Sequence, residues 1–149
     1  MAFVHRRRVE FRDTDAAGIV HFSVFFPMME EAEHAALRHL GLSVWSELDQ
    51  GQQLTWPRVA ASCDYLAAAR FEQLLRIEVS AVRIGTTSVT YRFEFFSGDD
   101  HAGPGTRIAQ GQITAVCCRL GSGQPLRKSP IPDDVRRALQ QLMVAQETD

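Results

Sequence analysis

Two carboxylates two residues apart, Asp13 and Asp15, stand where a charged, alternating segment gives way to Ala-Ala-Gly18. A carboxylate in such a place can attack a carbonyl carbon or take a proton from water. A helix start follows within ten residues. Its first N–H groups lack intrahelical partners and carry partial positive charge, so a developing oxyanion can be stabilised there. Acyl transfer is the chemistry these parts fit. The same Asp-Thr-Asp-Ala-Ala-Gly run also serves as a turn, because Asp and Thr bond their own backbone and Gly accepts unusual φ. By the loop alone, both readings stand.

The elements that must position these groups are legible as periodicity. Val4 to Arg12 is strand-compatible, with Val9 and Phe11 alternating against charged neighbours. Ser23 can cap a helix with Pro27 in its first turn, where a missing N–H costs least. Phe25, Met29, Ala32, Ala36 and Leu40 recur at helical spacing. Glu30, Glu31 and Glu33 read as a solvated face of that helix, and Gly41 is its C′ stop. After a looser stretch from Leu42 to Gln53 the period becomes two. Leu75, Ile77, Val79 and Ala81 form one row, and Val89, Tyr91, Phe93 and Phe95 another, with a turn at Gly85-Thr86. A Gly/Asp-rich link, Ser97 to Gly105, leads to a strand over Arg107 to Leu120, with Gly111 a candidate bulge. Pro132 opens a last helix through Met143, with Asp133 and Asp134 favourable at its start. One long helix followed by consecutive antiparallel strands predicts an α+β fold with the sheet wrapped around the helix.

Composition narrows the function classes. The 149 residues amount to one domain, expected over 1–149, and a chain of this size buries roughly 70% of its unfolded surface without staples. A net charge of −2 speaks against a nucleic-acid partner held by phosphate neutralisation. No run approaches the roughly 18 apolar residues of a membrane span, and the basic start lacks a signal-peptide core, so a cytoplasmic protein is expected. Cys63, Cys117 and Cys118 have no disulfide or metal spacing, which suits a reducing compartment. No metal or bound cofactor is expected. His34 and His39 are five apart on different helix faces, and His5 and His101 have no partner spacing.

The segment Asp13-Thr-Asp15-Ala-Ala-Gly18-Ile-Val20, followed by a helix ending at Leu40-Gly41-Leu42, resembles the signature of the 4-hydroxybenzoyl-CoA thioesterase-like family. That family includes the Tol-Pal-associated acyl-CoA thioesterases. The likeness continues through Trp56-Pro57-Arg58-Val59, Cys63-Asp64-Tyr65-Leu66, Ala69-Arg70-Phe71 and Ile84-Gly85-Thr86-Thr87-Ser88. The resemblance implies a hotdog fold, a long central helix wrapped by a curved antiparallel β-sheet, working as a homodimer or homotetramer with sites at subunit interfaces. It implies hydrolysis of an acyl-CoA, aryl or aliphatic, to the free acid and CoA.

The resemblance also assigns roles. Asp15 becomes the catalytic carboxylate, as nucleophile or as base for water, and Asp13 a structural hydrogen-bonding group. The thioester carbonyl is polarised by a backbone N–H seven residues on, at Phe22, where relatives often carry His or Tyr. Gly18 and His21 lie beside this pair and count as candidate substrate contacts, although His21 is one place off. Arg58, Arg70 and Arg83 are candidates for the CoA phosphates, since guanidinium forks suit phosphate oxygens. Arg6, Arg7 and Arg8 read as ordinary surface charge. Ser88 could orient substrate or water, or simply cap its turn. A helix glutamate, Glu30 or Glu33, is a reserve for Asp15. Two rivals remain: a hydratase or dehydratase on the same fold, and a non-catalytic acyl-CoA-binding module.

Overall fold

The computed structural model describes residues 1–98 and 105–144. His101 and most of the Gly/Asp-rich link lie outside the described residues. Strand β1 (Phe3–Arg8) is followed by α1 (Phe25–His39), then β2 (Trp45–Glu47), β3 (Gln53–Thr55) and β4 (Arg58–Tyr65). The long strands β5 (Leu74–Ile84), β6 (Ser88–Ser97) and β7 (Thr106–Val116) come next. Short strands β8 (Cys118–Leu120) and β9 (Arg127–Lys128) and helix α2 (Asp133–Gln140) close the order. A five-stranded antiparallel sheet runs β1-β5-β6-β7-β4, and a four-stranded one runs β2-β3-β8-β9.

The period-two rows form the sheet's inner face. Leu75, Ile77, Val79 and Ala81 are fully buried, as are Val89 and Phe93. Against them α1 lays Phe25, Met28, Met29, Ala32 and Ala36. This is the helix-in-sheet layering of the hotdog fold, with one apolar helix stripe filling one curved sheet face. Close packing explains Gly111. A Cβ there would meet the Met29 sulfur at 2.6 Å and the Ser62 carbonyl oxygen at 2.7 Å. Gly111 pairs regularly with Cys63 on one side and Phe93 on the other, so the expected bulge is absent. The irregularities fall instead between Arg58 and Ala60, Ala81 and Arg83, and Phe95 and Phe96.

Several boundaries differ from the sequence pattern. β1 stops at Arg8, and Phe11–Asp13 forms a 3₁₀ turn that leaves Phe11 exposed against the edge of the Phe71 ring. The helix is preceded by a 3₁₀ turn, Phe22–Val24, whose cap is His21 and not Ser23. The C-terminal end of α1 matches expectation. Gly41 takes φ +75, the Leu42 N–H donates to the Leu37 carbonyl at 2.7 Å, and the Gly41 N–H donates to that of Arg38 at 3.0 Å. The strand expected to reach Leu120 breaks at Cys117, and α2 ends at Gln140, short of Met143, which bridges to Ala81 instead.

Two charged groups expected at the surface are internal. Glu33 is 1% exposed, and Arg58 Nη2 from β4 donates to its Oε1 at 2.7 Å. Arg7 is no surface charge either. It grips Asp13 with both terminal nitrogens and donates from Nε to Glu31 at 3.0 Å. Patterning hides both pairs because each partner lies on a different element.

Candidate active site

Asp15 sits on a small hairpin between the 3₁₀ turn and α1. Thr14 bridges Val20, the Asp15 N–H donates to the Ile19 carbonyl at 2.9 Å, and the Gly18 N–H donates to the Asp15 carbonyl at 3.0 Å. Gly18 closes this turn at φ +77, a conformation that favours glycine. The hairpin is tied down on its far side. The Val20 N–H donates to the Ala69 carbonyl at 2.8 Å, and Ile19 bridges Arg70.

The two carboxylates of the Asp-Thr-Asp run have unlike environments. Asp13 is 4% exposed and accepts from both Arg7 terminal nitrogens and from the Glu10 N–H at 2.8 Å. Burial alone would raise its pKa, but the Arg7 hydrogen bonds, the Glu10 N–H and the nearby Arg12 charge outweigh it and hold the carboxyl below its usual range. Its own backbone carbonyl accepts from the His21 N–H at 2.8 Å, so this fixed carboxylate braces the start of the helical segment. Asp15 is half-buried. Its Oδ1 accepts from the Ala17 N–H at 2.8 Å, and Oδ2 takes no hydrogen bond among the described residues. An anchored side chain with one free oxygen is what attack or proton transfer requires.

Asp15 borders a cleft of about 430 Å³ walled by Ile19, Val20, Phe22, Phe25, Tyr65 and the stretch Leu66–Ala69. Phe22 opens the 3₁₀ turn that runs into α1, and its N–H has no acceptor among the described residues. Tyr65, at the end of β4, donates its hydroxyl to the Phe22 carbonyl at 2.9 Å and packs edge-on against Phe25, 5.3 Å between ring centroids. The cleft is therefore mostly apolar and aromatic, with Asp15 and the helix-start residue Phe22 among its lining. Tyr65 belongs to the Cys63-Asp64-Tyr65-Leu66 motif, yet its bond to Phe22 had no signal in the sequence, because the two residues are 43 positions apart.

His21 is turned to its own backbone. Its Nδ1 lies 2.7 Å from the Ser23 hydroxyl and accepts from the Ser23 N–H at 3.3 Å, while the ring stacks near Phe22. Arg70 is exposed beside the hairpin that carries Asp15. Arg58 is committed to Glu33, with Glu30 3.8 Å away. Arg83 and Ser88 sit at the far end of β5 and its turn, roughly 30 Å along the strand from Leu74 at the cleft end. The single chain thus gathers Asp15, Gly18, His21, Phe22 and Arg70, and keeps Arg58, Arg83 and Ser88 apart from them. Among the described residues no three His, Cys, Asp or Glu side chains converge as a metal site would need.

Known proteins share this arrangement of chain. Residues 17–103 match the family model described as the thioesterase superfamily. The chain is 28% identical to a 1,4-dihydroxy-2-naphthoyl-CoA hydrolase of Synechococcus elongatus, over 91% of this chain and 93% of that protein. A 1,4-dihydroxy-2-naphthoyl-CoA thioesterase from Synechocystis superposes with a TM-score of 0.80 at 26% identity, covering 95% of this chain and 98% of that one. A gentisyl-coenzyme A thioesterase superposes with a TM-score of 0.75 at 32% identity, covering 92% and 99%. No helix among the described residues is long and apolar enough to cross a membrane. Matched by the family model over more than half its length, the chain belongs to the thioesterase superfamily and is a thioester hydrolase.

Proposed function

We propose that this chain hydrolyses aryl-CoA thioesters, with Asp15 as the catalytic carboxylate and the Phe22 N–H as the donor to the thioester oxygen. The observation that carries the reading is the shared cleft: Asp15 and Phe22 border one apolar, aromatic space of about 430 Å³. Pockets of this size take small ring systems. The aryl-CoA activity of similar proteins named 1,4-dihydroxy-2-naphthoyl-CoA thioesterase and gentisyl-coenzyme A thioesterase supports the same acyl class.

Two routes use the same parts. In one, an Asp15 oxygen adds to the thioester carbon, the carbonyl electrons move onto oxygen beside the Phe22 N–H, and their return expels the CoA thiolate. Water then cleaves the resulting anhydride and restores the carboxylate. In the other, Asp15 takes a proton from water as its oxygen adds to the carbon, and that proton ends on the departing thiolate. Either way, a fixed N–H at the start of a helical segment stabilises the oxyanion without needing a side chain at position 22. Tyr65 anchors the next peptide, at the Phe22 carbonyl, and so limits rotation about Phe22 while this happens.

Arg70, exposed beside the Asp15 hairpin, is assigned to the CoA phosphates. Arg58, Arg83 and Ser88 lie too far away within one protomer, so any contact they make with substrate belongs to a site shared with a second copy. β4 supports such pairing: it ends the sheet order, and Val59 and Tyr65 are exposed along it. Self-association through this edge and a cytoplasmic location complete the proposal. The decisive experiment is thiol release from a panel of aryl-, short- and long-chain acyl-CoAs, run beside light scattering. Faster turnover of the aryl members supports the assignment, and no release from any member overturns it.

A further inference from the structure

A second cavity, of about 410 Å³, lies at the opposite end of α1, between that helix, β3 and α2. Its walls are largely apolar and include Leu37, Leu54, Trp56 and Leu139. Phe25 borders the Asp15 cleft and Leu37 borders this cavity, twelve residues along one helix, or roughly 18 Å. A small molecule in one does not reach the other within a protomer.

The cavity borders one deeply buried polar side chain that makes no hydrogen bond among the described residues. Tyr91, from the middle of β6, is 3% exposed, and its hydroxyl makes no hydrogen bond among the described residues. Buried hydroxyls ordinarily have partners, because stripping one of water without replacement is costly. Among the described residues the sealed-off polar side-chain atom lacking a partner is Glu33 Oε2, so the Tyr91 oxygen still opens on space. The space it borders is this cavity. Burial, helped by the charge of Glu33, pushes the Tyr91 hydroxyl well above its ordinary pKa and keeps it neutral. Glu47 and Asp134 also border the cavity, which makes it unfavourable for an anion.

We propose that this cavity is a second binding site, taking an uncharged, mostly apolar molecule whose single hydroxyl pairs with the Tyr91 hydroxyl. The apolar walls supply the affinity, and Tyr91 fixes the orientation. The neighbouring carboxylates reject the carboxylate form of a molecule of the same shape. The site does not depend on the role given to Asp15.

Calorimetric titration of the full chain with naphthol and, separately, naphthoate tests this. Naphthol is expected to bind the wild type, and naphthoate at least about tenfold more weakly. Tyr91→Phe, which keeps the ring, should weaken naphthol about two- to tenfold, the range of one neutral hydrogen bond. Ser46→Trp, placing an indole into the cavity from β2, should abolish binding. Asp15→Asn should leave it unchanged. Circular dichroism checks that each variant is folded. Absence of naphthol binding overturns the proposal, as does equal binding by wild type, Tyr91→Phe and Ser46→Trp. Loss of binding in Asp15→Asn would place the ligand in the other cleft and overturn it equally, whatever becomes of the thioesterase assignment.

Discussion

The Tyr65 hydroxyl donates to the Phe22 carbonyl at 2.9 Å, tying the end of an edge strand to the first residue of the 3₁₀ turn that enters α1. A peptide at a helix start has no ladder to hold it, and its free N–H points wherever the chain allows. The Tyr65 bond fixes the peptide that follows, through the Phe22 carbonyl, and so limits rotation about Phe22, which lines the cleft that Asp15 borders.

Tyr65→Phe should therefore slow turnover more than it weakens substrate binding. One neutral hydrogen bond is worth about 0.5–1.5 kcal/mol, so kcat should fall roughly two- to tenfold with KM nearly constant. Tyr65→Leu, which also removes part of the apolar wall, should raise KM as well. Steady-state kinetics on an aryl-CoA decide it. A Tyr65→Phe enzyme with unchanged kcat would show that Phe22 needs no such brace.

Asp15→Asn should lower kcat about 10²- to 10⁴-fold, the usual reach of a catalytic carboxylate. Stability should barely change, because the Asn carbonyl oxygen can still accept from the Ala17 N–H. A single turnover in oxygen-18 water identifies a nucleophilic Asp15 when water attacks the Asp15 side of the anhydride. The label then enters the Asp15 carboxyl and the first product acid is unlabelled. With Asp15 as base, the label appears in the product and never in Asp15. Substantial hydrolysis by Asp15→Asn would remove Asp15 from the mechanism.

Asp13 is expected to act on stability alone. Its side chain and that of Arg7 are 6% and 13% exposed, and breaking one partner of so enclosed a pair costs about 3 kcal/mol. Asp13→Asn should lose stability of that order. The pH sign follows from its depressed pKa. The contribution is complete above the ordinary value of 3.8 and disappears as pH falls through the lower folded value. Urea unfolding of wild type and Asp13→Asn should diverge at neutral pH and converge toward the acid limit. A constant gap across that window would contradict it.

How much of this was legible beforehand depends on the range of each interaction. Leu75, Ile77, Val79 and Ala81 announced their strand because one sheet face is buried and the period is local. The α1 stripe from Phe25 to Ala36 was legible for the same reason, and Gly41 for its φ. The Asp15 loop was recognisable because its parts are contiguous. Glu33 was misread because its helix neighbours Glu30 and Glu31 are exposed, while the arginine that permits its burial lies 25 residues later. Phe11 was misread because the 3₁₀ turn breaks the alternation that would have buried it. Patterning reports faces of single elements and carries no information about partners across elements.

The Glu33–Arg58 pair carries the strongest energetic consequence of that kind. Glu33 is 1% exposed, and its Oε2 has no hydrogen-bond partner among the described residues, so its ionised form depends on Arg58. Burial raises its pKa above the ordinary 4.5, Arg58 opposes that rise, and Glu30 adds to it. For a carboxyl with a raised folded pKa, the associated stability is complete below 4.5 and is lost as pH climbs through the folded value. Removing the guanidinium in Arg58→Met should raise that pKa further and deepen the loss. At neutral pH the variant should lose about 3 kcal/mol, the usual result of leaving one buried charge alone. Near pH 4.5 the deficit should shrink, because Glu33 becomes neutral. Adding Glu33→Gln should restore part of the neutral-pH loss, since an amide avoids the stranded charge while filling the same volume. Denaturant unfolding of the wild type and the two variants at both pH values checks this. An equal deficit at both would mean that Arg58 stabilises by packing of its alkyl stem and not by compensating Glu33.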